Sequence, residues 1–320
     1  MNEIECPGLP ADWLNSWLAS IGLLVLEPRL RLRWTPDATP IAVLGTDNEP
    51  NPLALAARSW PQMDRLAAMP IAGSIDGLPD MRRTVPLDVF RRRAEFARGQ
   101  PDSWTLSSTV TDLCVDVATD RTVRHAPLDP KGPGTIKWLH HRLTKSYARV
   151  ENPSEAVIAT LEGCGRRIVD NGLGFDASRI AGLADSADKL VDPVIEVLAF
   201  FGLRMLPMRG DGVEIGKAGR RKRFAMRQRC WHLDTTQSSW LQCMKWPAWD
   251  QSLDYPGVDA LLDQWSRLME QHTRGRRVSR TELSRLGIHA AWQTRSYRER
   301  SKSDNTVGFT SARMDLDARP

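Results

Sequence analysis

The densest single chemistry in the sequence is the stretch Lys217–Arg229, KAGRRKRFAMRQR, which holds seven Lys or Arg residues and no acid. Cations packed this closely repel one another unless something anionic neutralises them. Phosphates are the usual answer, and each one neutralised releases counterions, so affinity becomes salt-dependent. Arg220, Arg221, Lys222, Arg223, Arg227 and Arg229 are therefore the first candidates for holding a nucleic-acid backbone. Phe224 and Met226 interrupt the charge, and Trp231 follows it. The plainer alternative is a solvated stretch or a docking surface for an acidic protein.

Three further groups of cations extend the same chemistry. Residues 29–34 alternate strictly, with Arg29, Arg31 and Arg33 on one face and Leu30, Leu32 and Trp34 on the other, which predicts a half-buried strand with a guanidinium face. The segment 135–150, TIKWLHHRLTKSYARV, reads as a basic helix. On it, Lys137, His141 and Lys145 share a face by i, i+4 spacing, with His140 at the edge and Arg142 adding a cation. Residues 274–300 carry eight Arg against Glu282 and Glu299, and within them SRTELSRLGI reads as a capped helix.

Catalysis is the lesser reading. His140 or His141 could deprotonate a 2′-hydroxyl while Lys145 steadies the charge on phosphorus, which is metal-free RNA cleavage. Any basic helix with two His would show that pattern, and phosphate binding or solvation explains it more simply. Cys230, His232 and Cys243 lack a zinc spacing and a fourth ligand, so no metal is expected. Gly172-Leu173-Gly174 is too short for a dinucleotide fingerprint, and no Walker lysine or Gly-x-Ser-x-Gly elbow occurs, so no cofactor is expected either.

The elements that must position these residues are mixed. Residues 12–26, DWLNSWLASIGLLVL, have helical spacing of apolar side chains, with Asp12 as cap and Gly22 as a stop or a close-packing point. Short helices are expected around 53–58, after Pro86 and over 153–163, and a strand within 105–118. The Pro- and Gly-rich loop 126–134 marks a boundary between an N-terminal unit, 1–130, and a basic unit, 131–300, followed by a polar tail, 301–320. Residues 192–207 read as a helix running into a strand. Offset by 180 positions, Asp12, Leu18, Ala19, Gly22, Leu23 and Leu26 match Asp192, Leu198, Ala199, Gly202, Leu203 and Leu206. This is either one helix–Gly–strand unit present twice or two unrelated helices that each carry a Gly.

These expectations make an α+β fold with a mixed or antiparallel sheet packed by helices. At 320 residues and 41% hydrophobic, the chain can build a sizeable core. Its formal charge of +5 says less than the distribution of that charge. Trp231, Trp240, Trp246, Trp249 and Trp265 form a cluster that suits a core better than base stacking. Five Cys without short-spaced pairs, no leader pattern and no long apolar run predict a reduced, cytoplasmic protein with no membrane contact.

Two phrases also resemble a known group. PGLPADWLNSWLASIGLLVL, residues 7–26, resembles the N-terminal part of CRISPR type I-G (formerly I-U) effector proteins. LGFDASRI and VDPVIEVLAFFGLRMLP, within residues 173–207, resemble small type I-U-associated proteins of actinobacteria, through Gly174, Phe175, Asp176, Pro193, Glu196, Leu198, Ala199, Gly202 and Leu203. The resemblance implies a subunit of a crRNA-guided Cascade complex of antiviral defence, in or near the large-subunit position, with other effector subunits as partners. Such a subunit touches crRNA or target DNA without chemistry. The matched residues look structural, and no functional residue carries over. The alternatives are crRNA processing through His140 or His141 and an assembly protein docking an acidic partner.

Overall fold

The computed structural model describes residues 2–62, 84–98, 110–115, 122–125, 136–170, 172–173, 190–206, 208–209, 227–233, 242–273, 276–298 and 307–315. Within them the fold is α+β, and every strand pairing is antiparallel.

The chain opens with strand β1 (Asn2–Pro10), helix α1 (Leu14–Leu26), and strands β2 (Leu30–Trp34) and β3 (Ile41–Thr46), which form a sheet in the order β1-β3-β2. Asp12 does not cap α1. Trp13 occupies that position without a side-chain hydrogen bond, and the helix runs through Gly22 to Leu26. Helix α2 (Pro52–Arg58) follows, capped by Asn51 on the amides of Leu53 and Ala54. Strands β4 (Thr84–Pro86), β5 (Val110–Val115) and β6 (Thr122–His125) form a second sheet beside helix α3 (Leu87–Arg98), which starts after Pro86 as its sequence predicts.

Helices α4 (Ile136–Tyr147) and α5 (Pro153–Leu161) lead into a short ribbon, β7 (Ile168–Val169) with β8 (Leu190–Val191). Helix α6 (Pro193–Gly202) is capped by Asp192 and ends in a 3₁₀ turn, Leu203–Met205, where the sequence pattern predicts a strand. The next strand, β9 (Met208–Arg209), pairs with β10 (Arg227–Gln228). Strands β11 (Trp231–Leu233), β12 (Gln242–Trp249), β13 (Ile288–Arg298) and β14 (Val307–Arg313) form a four-stranded sheet in that order, with helices α7 (Tyr255–Thr273) and α8 (Arg280–Arg285) between β12 and β13. A capping box of Ser279 and Glu282 starts α8, as its sequence predicts. Val307–Arg313, expected within a polar tail, instead completes the sheet against β13 from Trp292 to Arg298, because its backbone finds a full ladder there.

Helices α1 and α6 form the centre. Leu14–Val25 and Pro193–Gly202 are buried on every face; both helices are largely apolar, and Asn15 of α1 donates to the buried Glu196 of α6. A Cβ on Gly22 would overlap the carbonyl oxygen of Leu198, and a Cβ on Gly202 would overlap that of Leu18. Each glycine thus sits on the backbone four residues before its counterpart. The contacts exchange under the same offset that relates the sequences, 18 + 180 = 198 and 22 + 180 = 202. The packing of the pair is therefore pseudo-twofold, with both glycines at the close approach; Gly22 lies inside α1, and Gly202 is the last residue of α6.

Three indoles tie the N-terminal part to the C-terminal sheet, and a fourth, Trp265, ties α7 to that same sheet. Trp17 Nε1 donates to the Pro247 carbonyl at 2.9 Å, Trp246 to Ala11 at 2.7 Å, Trp249 to Leu32 at 3.0 Å and Trp265 to Lys245 at 2.9 Å. Trp34 meets Trp249 edge-on at 6.2 Å, and Leu32 bridges to Leu253. Core residues on both sides of position 130 belong to one cluster, so the two predicted units share a core. The loop 126–134 itself lies outside the described residues.

Candidate nucleic-acid interface

The guanidinium face of β2 exists, and each cation on it has a carboxylate partner. Arg29 meets Glu27 at 2.8 Å and Glu49 at 3.2 Å, Arg31 meets Asp47 at 2.9 Å, and Arg33 meets Glu3 at 2.6 Å. Register puts Arg31 opposite Gly45 and Arg33 opposite Val43 of the central strand, and each reaches a carboxylate diagonally, Asp47 just after that strand and Glu3 on β1. Hydrogen bonds from Arg33 and Arg29 hold the carboxyls of Glu3 and Glu27 below the usual range. A small open pocket at one end is lined by Arg29, Arg31, Asp47, Asn48, Glu49 and Asp254, and so mixes both signs of charge.

Helix α4 presents a similar picture. Arg142 Nη1 donates to the Leu173 carbonyl at 3.0 Å, and Lys145 pairs with Asp170 at 2.5 Å. The amide of Leu173 in turn donates to the buried Glu196 on α6 at 2.6 Å, so the helix clamps the segment around Gly172 onto the core. Gly172 adopts φ +49°, and a Cβ there would meet the Glu196 carboxylate. His141 is exposed. Lys137 and His140 belong to the helix, but their side chains are outside the described ones.

The basic run is reached from both ends. Arg209 and Arg227 lie directly opposite in the β9–β10 pair, as do Met208 and Gln228. Arg209 and Arg227, which flank segment 210–226 in the sequence, are thus paired across this two-stranded ribbon. Arg220, Arg221, Lys222 and Arg223 fall within that segment and lie outside the described residues, as does the side chain of Arg227.

Arg229 is described, and it points inward. Its side chain is 1% exposed, Nη1 donates to Asp259 at 2.5 Å and to the Met205 carbonyl at 2.9 Å, and Nε donates to Asp263 at 3.0 Å. Cys230 follows with φ 65°, a left-handed conformation that a non-glycine residue adopts only when held there. Its amide donates to Ser266 Oγ at 2.7 Å. Asp259, Asp263 and Ser266 recur at helical spacing on one face of α7, a receiving surface the reading of charge runs overlooked. Its signal in the sequence is two acids at i, i+4 on the polar face of an amphipathic helix, beside the buried stripe of Val258, Leu262, Trp265 and Met269.

Trp246, Trp249 and Trp265 are fully buried, which assigns these members of the tryptophan cluster to the core. Among the described residues no group of His, Cys, Asp or Glu is placed to hold a metal ion, and no helix is long and apolar enough to cross a membrane. No family model matches the chain, and comparison with curated proteins and with solved structures finds no match.

Proposed function

We propose that this chain is a nucleic-acid-binding, non-catalytic subunit of a crRNA-guided CRISPR type I effector complex, working in the cytoplasm on crRNA or target DNA beside other effector subunits. The observation that carries the reading is the charge of the run, seven Lys or Arg and no acid from Lys217 to Arg229. Elsewhere, the candidate cations with described side chains are already engaged: Arg29, Arg31, Arg33, Lys145 and Arg229 with carboxylates, Arg142 with a carbonyl. A neighbouring carboxylate offsets the charge of its arginine, so an ion-paired arginine attracts a phosphate less than an uncompensated one. The phosphate path therefore centres on Arg220, Arg221, Lys222, Arg223 and Arg227, with Lys137 as the remaining candidate on α4.

The resemblance of residues 7–26 and 173–207 to type I-G proteins supplies the effector-complex part of the reading. Purification of the full chain from its host at low salt, with sequencing of what comes with it, tests that part. Short RNAs of uniform length sharing a repeat-derived end are expected. A preparation free of nucleic acid, still bound to a protein partner after nuclease treatment, would replace this reading with an assembly role.

A further inference from the structure

Strand β1 is one edge of the N-terminal sheet, and register shows which way its backbone groups point. Leu32 of β2 exchanges both backbone hydrogen bonds with Leu253, at 2.8 and 3.0 Å, so its N–H and C=O point away from β3. In an antiparallel ladder this direction alternates from residue to residue. Leu44, opposite Leu32, therefore turns to β1 and pairs with Ile4. Glu3 and Glu5, on either side of Ile4, then aim their N–H and C=O groups outward, and among the described residues nothing hydrogen-bonds to them. The open stretch ends at Pro7, which has no N–H. Beyond it, α5 closes the edge, since a Cβ on Gly8 would overlap the Thr160 carbonyl oxygen.

The side chains give this edge a sign and a pattern. Glu3 and Glu5 are exposed on one face, and Ile4 between them packs half-buried against the core on the other. Glu3 is offset by Arg33, but Glu5 has no ion-pair partner among the described residues. Glu162, exposed just after α5, and Glu5 both act on the Cys6 thiol, so the two acids lie at the same edge. Pairing two copies of β1 here would set Glu3 against Glu5, and like charges directly opposite are destabilising, which disfavours a second copy of this chain. The charge that blunts self-association admits a strand of the opposite sign. We infer that the outer edge of β1 is a docking site for an extended segment of another protein, one with Lys or Arg at alternate positions and an apolar residue between them. The segment's backbone completes the ladder on Glu3 and Glu5, its cations lie beside their carboxylates, and its apolar residue lies beside Ile4. The inference is independent of the nucleic-acid reading.

The test uses the full chain and two synthetic peptides capped at both ends, one alternating Lys with Val and one alternating Glu with Val. Affinity is read by titration, and amide hydrogen exchange is resolved by residue with NMR. The Lys peptide should slow exchange at the Glu3 and Glu5 amides and bind tighter than the Glu peptide by roughly two- to fivefold for each charge pair. Glu5→Lys should narrow or reverse that preference. Glu5→Pro removes an outward N–H without touching the ladder to β3, a place where an edge strand tolerates proline, and should abolish binding of the Lys peptide. Should that variant not fold, a Lys peptide methylated at its lysine backbone nitrogens serves instead, because it keeps the charge and loses the donors that face β1; it should not bind. Unchanged exchange at Glu3 and Glu5, or equal affinity for the two peptides, would overturn the proposal. Full affinity of Glu5→Pro or of the methylated peptide would overturn it too, since charge alone would then hold the peptide.

Discussion

His289 lies on β13 with its Nε2 buried and without a hydrogen-bond partner. Burial holds its imidazole below the ordinary value, and this outweighs the opposing pull of Asp250, the Trp34 backbone and Asp37, while Arg313 adds to the lowering. The fold therefore keeps His289 neutral where an unfolded chain takes up a proton. Its contribution to stability is complete above the unfolded value near pH ~6.5 and is lost as pH falls through the lowered folded value. Urea midpoints at about pH 7 and about pH 5 should drop more for wild type than for His289→Asn. Equal drops would assign the acid sensitivity to other groups. Glu3 and Glu27 belong to a separate window: their carboxyls are held low by Arg33 and Arg29, so their contribution is lost only at more acidic pH.

At the scale of elements, the α1–α6 contact has the most exacting geometry. Gly22 and Gly202 each occupy the space against the partner helix's backbone where a side chain would stand. Gly22→Ala and Gly202→Ala should each destabilise by about 1–3 kcal/mol through overpacking. Because both changes force apart the same helix pair, their combination should cost less than the sum. Chemical denaturation checks both points, and strictly additive losses would mean that the two contacts are independent. The helical period of α1, the alternation of β2 and the Ser279–Glu282 box could all be read from residues, since each is a local pattern. The end of α6 could not. A strand after Gly202 looks natural from Leu203, Met205 and Leu206, but these side chains are buried in a 3₁₀ turn against the core. The β12–β14 sheet was equally hidden, because Trp246 and Trp249 announce an aromatic cluster without saying which backbone carries it.

Across the whole molecule, the same cation has different meanings according to what the fold brings to it. Arg31 and Arg33 read as a phosphate-binding stripe because their partners, Asp47 just after β3 and Glu3 on β1, are distant in sequence. Arg229 looked like part of a continuous charge run, and α7 turns it into an anchor. The proposed site was legible as chemistry, a basic run, but the division between cations proposed to bind phosphate and cations the fold pairs with carboxylates was not.

That division is the central claim, and RNA affinity measured from about 50 to about 200 mM salt tests it most directly. The comparison is between wild type, a variant with Arg220, Arg221, Lys222 and Arg223 changed to Gln, and one with Arg29, Arg31 and Arg33 changed to Gln. The account predicts that the first variant loses affinity and that its salt slope flattens by roughly 0.7 for each phosphate contact removed. The β2 variant should keep the wild-type slope. Loss of affinity and slope in the β2 variant alone would contradict the account and move the interface to the guanidinium face of the N-terminal sheet.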